Sequence, residues 1–215
     1  HVVRCFEDEN VVHVDGSVDP VRDVEVIDTE LALADVAAVE KRLDKTRKVA
    51  RSGDKDARVQ VEILEKIFEV LNEGQPTRSL EWPPEHQKFV RELWLLTNKP
   101  IIYVANVSED DAANADGNAY VQKLRDLVGP QGAQVVCISA AIEAEISQLE
   151  DEERAEYLES MGLTEPGLDK VVREGYRLLD LITYLTAGPK ETRAWTVNRG
   201  ASAPEAAGVI HTDFQ

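Results

Sequence analysis

The sequence predicts an α/β fold with a long helical arm inserted into it, and three observations carry that expectation. Apolar runs of strand length, at 100 to 105 and at 133 to 139 ("AQVVCIS"), alternate with helical segments, and their unbroken apolar character suits parallel strands covered on both faces. Residues 21 to 73 hold two stretches of helical period separated by a short polar turn. Beyond residue 180, "LITYLTAGPKETRAWTVNRG" is enriched in Thr, Tyr, Trp and Val on either side of a Gly-Pro turn, the pattern of two β-strands.

Taken in order, "HVVRCF" at residues 1 to 6 reads as the inside of a buried strand. From Val21 to about Ser52 the apolar positions Val24, Ile27, Leu31, Ala34 and Ala38 step by three and four, which predicts a long amphipathic helix. "SGDKD" turns the chain, and residues 57 to 73 place Val61, Leu64, Phe68 and Leu71 on one face of a second helix. Two helices joined this closely are expected to fold back as an antiparallel pair, each burying the stripe the other cannot bury alone. "EGQPTRSLEWPP" is a linker by its Gly and Pro content, and Pro84 suits the first turn of a helix through "EHQKFVRELWLLT". After the strand at 100 to 105 come a helix near 117 to 128, the strand at 133 to 139, acidic helices at about 141 to 161 with a break, and another at 167 to 180.

Composition narrows the classes. With 43% hydrophobic and 30% charged residues among 215, the chain has the make-up of a folded protein, and no run approaches the roughly 18 apolar residues of a membrane helix. No signal peptide opens it, and Cys5 and Cys137 each lie in an apolar, strand-like context, so two reduced, buried thiols and a cytoplasmic setting are expected. The opening in mid-strand and the stop after "GVIHTDFQ" lead to the expectation of a piece of a longer chain. A net charge of −17 argues against uniform attraction to nucleic acid or to an acidic membrane. Residues 41 to 58 run the other way, with eight Lys or Arg against three Asp, +5 locally and −22 for the remainder. The cations are Lys41, Arg42, Lys45, Arg47, Lys48, Arg51, Lys55 and Arg58, and they fall at the tip of the expected arm. There they can meet phosphates while the acidic body stays away, an RNA or ribosome contact in which each neutralised phosphate adds salt-dependent affinity. Lys190, Arg193 and Arg199 form a smaller basic surface around Trp195, whose indole is expected in the core.

Ligands of nucleotide-binding α/β folds sit outside the carboxyl ends of parallel strands, where Asn106-Val107-Ser108-Glu109 and Ser139-Ala140 both fall. In guanine-specific P-loop proteins the first loop is Asn-Lys-x-Asp, whose Asp accepts from the ring N–H and the exocyclic amine, and the second is Ser-Ala-x. Glu109 in place of that Asp moves the carboxylate by one methylene, so the paired hydrogen bonds that select guanine are misaimed or lost. Val107 stands where the aliphatic stem of Lys would pack and leaves the base an apolar neighbour.

These loops, together with "CISAAIEAEI", the opening 31 residues and the stretch from "LTEPGLDKVV" to "GVIHTDF", resemble the Obg-like ATPase (YchF) subfamily of translation-factor P-loop proteins over essentially the whole chain. The resemblance implies a partial P-loop nucleotide-binding domain over 1 to 20 and 80 to 180, a coiled-coil arm over 21 to 79, and the start of a β-grasp TGS domain over 181 to 215. It implies ATP preferred over GTP, slow hydrolysis with Mg2+, and ribosome association. It implies that Asn106 ties the base-reading loop to the phosphate loop and touches the base, that Val107 and Ser108 line the adenine, and that Ser139 and Ala140 close the pocket with backbone groups. Glu109 is then the marker of lost guanine specificity. No G-x-x-x-x-G-K-[ST] occurs in the chain, so no catalytic residue is assigned and this stretch alone is expected to be inactive.

Without the family, an Asn-x-x-Glu after a strand reads first as a helix cap, as does Ser139, which lies outside any G-x-S-x-G. His13 with Asp15 and His211 with Asp213 offer two ligands each, too few to close a zinc site. The acidic run 150 to 154 reads as a solvated helix start. A rival from another class is a non-catalytic RNA or ribosome adaptor acting through the arm tip and TGS module; a third is a structural coiled-coil scaffold.

Overall fold

A computed structural model describes residues 1–12, 16–211 and 213. In chain order the elements are β1 (Val2–Arg4), α1 (Pro20–Arg51), α2 (Lys55–Asn72), α3 (Pro84–Glu92), β2 (Ile102–Asn106), α4 (Ala119–Val128), β3 (Gln134–Ile138), α5 (Ala140–Ile146), α6 (Asp151–Ser160), α7 (Gly167–Leu178), β4 (Leu181–Ala187), β5 (Thr192–Asn198) and α8 (Ala203–Ile210). They divide into two compact units, residues 1–20 with 101–215, and residues 21–100.

In the first unit β1, β2 and β3 form a parallel sheet in that order, with Val2 opposite Val104 and Asn106 opposite Ile138. For β2 the unbroken apolar run has the expected cause, since Tyr103, Val104 and Ala105 are all buried; in β3 only Val136 is buried, so that strand is covered less completely than expected. Helix α4 covers the sheet with Val121, Leu124 and Val128. Its start is fixed by Asn118, whose Oδ1 accepts from the N–H groups of Tyr120 and Val121 while its Nδ2 donates to the Cys5 carbonyl at 3.0 Å. Helix α7 lies against β3 and β2, and closely: a β-carbon at Gly167 would stand 2.6 Å from Ile138 Cγ2. Helices α5 and α6 close a small core of Ile142, Ile146 and Leu158. The β4–β5 pair is antiparallel, with Tyr184 opposite Trp195, and α8 follows it behind a capping box of Ser202 and Glu205. Cys5 and Cys137 are not joined by a disulfide; Cys5 is buried as expected, whereas Cys137 is only partly so.

In the second unit α1 and α2 share one core, in which Val39 and Leu43 meet Ile63, Leu64, Ile67 and Leu71. The turn between them uses Gly53 at φ 97, and Asp54 caps α2 by accepting from Ala57 N–H at 2.8 Å. Two expectations differ here. The helix through "EHQKFVRELWLLT" stops at Glu92 instead of continuing to Thr97. The buried Asp35 carboxylate accepts from the N–H groups of Leu96 and Thr97 at 2.8 Å and from Thr97 Oγ1 at 2.7 Å, which holds this backbone out of the helix. The arm unit also reaches Pro100, not residue 79, because Leu80, Trp82, Phe89, Val90 and Leu95 pack into its core.

Candidate functional site

At the carboxyl ends of β2 and β3 the backbone pairing runs one residue past the strands: Val107 N–H donates to the Ile138 carbonyl at 2.9 Å, and Cys5 N–H to the Asn106 carbonyl at 2.8 Å. The Asn106 side chain then crosses to the second loop, where its Oδ1 accepts the Ala140 N–H at 2.9 Å. That one bond ties the two loops the sequence singled out. Ser108 Oγ accepts from Asp111 N–H at 3.3 Å, and the Glu109 carbonyl from Ala112 N–H at 3.1 Å, so the first loop closes into a turn. Val107 is buried in the core, with 2% of the residue exposed. Glu109 and Ala140 are exposed.

Ser139 is the least satisfied member. Its carbonyl accepts from Glu143 N–H at 3.0 Å and so starts α5, yet its hydroxyl makes no capping bond. The residue is 4% exposed and the Oγ has no partner. An unmet buried hydroxyl costs about 1–3 kcal/mol, a cost that a polar atom brought by a ligand or water would offset.

Side chains that no local pattern flagged hold the surroundings. Glu143 reaches across to α7, accepting from Gly167 N–H at 2.6 Å and Leu168 N–H at 3.1 Å, and thus satisfies two orphan donors of that helix. Tyr157 on α6 donates to Glu145 on α5; that bond, with the nearby charges of Glu145 and Glu109, pushes the phenol up to about 12. The Cys137 thiol is pushed up by burial, against the pull of Arg125. Only the N-cap Asn118 carried a sequence signal, its place ahead of an apolar-periodic run.

The basic residues fall as two exposed groups. Lys41, Arg42, Lys45, Arg47, Lys48 and Arg51 lie on the last turns of α1, and Lys55 and Arg58 on the first of α2. Two are engaged: Arg47 pairs with Glu65 at 2.8 Å, and the Arg42 guanidinium stands 5.8 Å from the Phe89 ring centre. Lys190 and Arg193 flank the β4–β5 turn. Trp195, expected in the core, is half-buried; its Nε1 donates to Thr186 Oγ1 at 2.8 Å and Arg193 lies 4.3 Å over its ring. His13 and Asp15 lie outside the described residues, and His211 stands 3.5 Å from Asp213. Among the described residues no three His, Cys, Asp or Glu converge as a metal site.

Known proteins align with the whole of this chain. It is 50% identical to the ribosome-binding ATPase YchF of Bacillus subtilis over 215 residues, all of this chain and 59% of that one. It is 40% identical to Obg-like ATPase 1 of Rattus norvegicus over 220 residues, covering 55% of it. The solved structure of the Schizosaccharomyces pombe YchF GTPase superposes with a TM-score of 0.84 at 36% identity, over 99% of this chain and 58% of that one. Over this span the chain is similar to members of the Obg-like (YchF) subfamily. A family model named YchF-GTPase_C, described as a protein of unknown function (DUF933), matches residues 181–215, the span of β4, β5 and α8. The fold is therefore a partial P-loop-type α/β unit with an inserted helical arm and the start of the family's terminal β module. The chain spans a little under three fifths of the length of these relatives.

Proposed function

We propose that the loops at the ends of β2 and β3 hold the purine of ATP in the full-length protein, and that this protein is a slowly hydrolysing, ribosome-associated ATPase using Mg2+. The observation that carries the reading is the Asn106–Ala140 bond beside an unmet Ser139 hydroxyl, which leaves two tethered strand ends with polar capacity to spare. Asn106 orients the second loop by accepting the Ala140 N–H, so the group that Ser139 and Ala140 keep for the base is the unpaired Ser139 hydroxyl, and Val107 and Ser108 complete the lining. Adenine presents a ring acceptor where guanine presents a donor, so a carboxylate there repels it; the exposed Glu109 gives neither base the paired acceptor that an Asp gives guanine. The residues described here do not fit magnesium or a triphosphate, since no acidic cluster converges and no Gly-rich phosphate loop is in the sequence. No hydrolytic step is assigned to them.

The names of the relatives divide between ATPase and GTPase, and a titration decides. Fluorescent ATP and GTP analogues are added to the full-length protein; ATP is expected to bind more tightly, and equal or reversed affinities would reject the base assignment. A second reading, a non-catalytic ribosome or RNA adaptor, draws on the eight exposed cations of the arm tip. It predicts co-sedimentation with ribosomes that is indifferent to nucleotide.

A further inference from the structure

Helix α3 ends unusually. Leu93 N–H donates to the Val90 carbonyl and Trp94 N–H to the Arg91 carbonyl, and Trp94 then takes φ 54, the left-handed position that helices normally give to Gly. Its indole is 81% exposed. The left-handed conformation ends the helix, but a large aromatic ring in that conformation is costly, and nothing in the ending of a helix calls for a solvated indole there.

The ring borders a groove of about 710 Å³, around which Lys88, Arg91 and Lys99 stand against a single carboxylate, Glu92. Lys88 and Lys99 form no ion pair among the described residues, and Arg91 Nη2 donates only to the neutral Gln87 Oε1 at 3.1 Å. An adjoining groove of about 500 Å³ shares Gln87, Arg91 and Asn98 and is bordered by Trp82, whose indole N–H has no acceptor.

We propose that this face of the arm unit binds single-stranded RNA, with a base stacked on Trp94 and the flanking phosphates on Lys88, Arg91 and Lys99. An aromatic face open to solvent and bordered by unpaired cations is the arrangement that holds a single strand, because every base has a π-face and every linkage a charge. Charge complementarity selects the occupant: in a chain of net −17, a groove with three cations against one acid draws a polyanion. The carboxamides of Gln87 and Asn98 supply hydrogen bonds for a base edge. This contact is separate from the arm tip, and it rests on the ribosome reading only for the source of the RNA.

The test therefore uses a bare oligonucleotide. A fluorescein-labelled 12-nucleotide oligouridine is titrated with the full-length protein and followed by anisotropy at several salt concentrations. Trp94→Gly removes the ring and suits φ 54, so it is expected to melt no earlier than wild type while losing about tenfold in RNA affinity. Trp94→Phe is expected to stay within about threefold of wild type. The double variant Lys88→Glu, Lys99→Glu is expected to flatten the dependence of log K on log salt by about 0.7 per lost phosphate contact. Wild-type RNA affinity in Trp94→Gly overturns the proposal. So does a Trp94→Gly that keeps RNA affinity but no longer co-sediments with ribosomes, which would make the face a protein-docking surface. Trp94-dependent oligonucleotide binding without any ribosome association would sustain the proposal and remove the ribosome reading instead.

Discussion

Asn106 and Ala140, 34 residues apart in sequence, are joined by a 2.9 Å hydrogen bond from the Ala140 amide to the Asn106 side-chain oxygen. Replacing Asn106 by Ala leaves that amide without its partner and frees the second loop from the first. A lost bond of this kind is worth about 0.5–1.5 kcal/mol, so Asn106→Ala is expected to weaken ATP-analogue binding by up to about tenfold. Asn106→Asp still accepts from the amide and is expected to keep the melting temperature of wild type. An Ala variant that binds nucleotide normally would show that the tether plays no part in recognition.

Glu109 bears on which purine is chosen. Its carboxylate is exposed and one methylene too long for the paired acceptor geometry that guanine requires. Glu109→Asp is expected to raise GTP affinity relative to ATP by about tenfold, read by competition against a fluorescent ATP analogue. No movement in the ratio would place the choice elsewhere in the site.

Much of this was legible in the sequence, for local reasons. The runs that became β2 and β3 are apolar on both faces, and the stripes of α1 and α2 recur at helical period around a turn closed by Gly53 and Asp54. What was not legible depends on partners distant in the chain. "LWLLT" continues the apolar period of α3, and it is held out of the helix by partners far away in the chain: the Asp35 carboxylate, 62 residues from Thr97, and the Arg78 N–H, which donates to the Thr97 carbonyl at 3.2 Å. The Glu143 cap on α7 spans 24 residues and the Asn118 bond to Cys5 spans 113. Asp35 and Glu143 look in the sequence like any other acid on a helix. The loops of the site were legible because strand ends are marked by the abrupt loss of apolar residues; the unmet Ser139 hydroxyl was not, since Ser at a helix start ordinarily caps it.

The Asp35 network predicts a large stability effect. Asp35→Ala leaves the N–H groups of Leu96 and Thr97 without their acceptor in an interior where Thr77 and Thr97 are also buried. Stranding buried donors costs about 1–3 kcal/mol each, so the midpoint of urea unfolding is expected to fall by the equivalent of about 2–4 kcal/mol. A shift below about 0.5 kcal/mol would mean that water replaces the carboxylate.

At the arm tip, Lys45, Lys48 and Arg51 are exposed, and none is in an ion pair among the described residues. Reversing all three to Glu is expected to leave folding unchanged while weakening ribosome co-sedimentation most at low salt. An unchanged salt slope would remove the tip from the interface.

Tyr157 offers a test by pH. Its hydrogen bond to Glu145 and the carboxylate charge around it favour the neutral phenol, lifting it from the ordinary 10.0 to about 12. Because the folded value is the higher one, the contribution of this group to stability is complete below pH 10 and is lost as pH rises through about 12. Glu145→Gln removes the charge and is expected to bring the midpoint back toward 10, followed by the tyrosine Cζ shift in 13C NMR. Glu109→Gln is expected to lower it by less, since the charge of Glu109 is the smallest of the named causes. Should Tyr157 titrate near 10 in the wild-type protein, the α5–α6 contact beside the first loop would not be held by this bond, and Glu145 would be free to meet another partner.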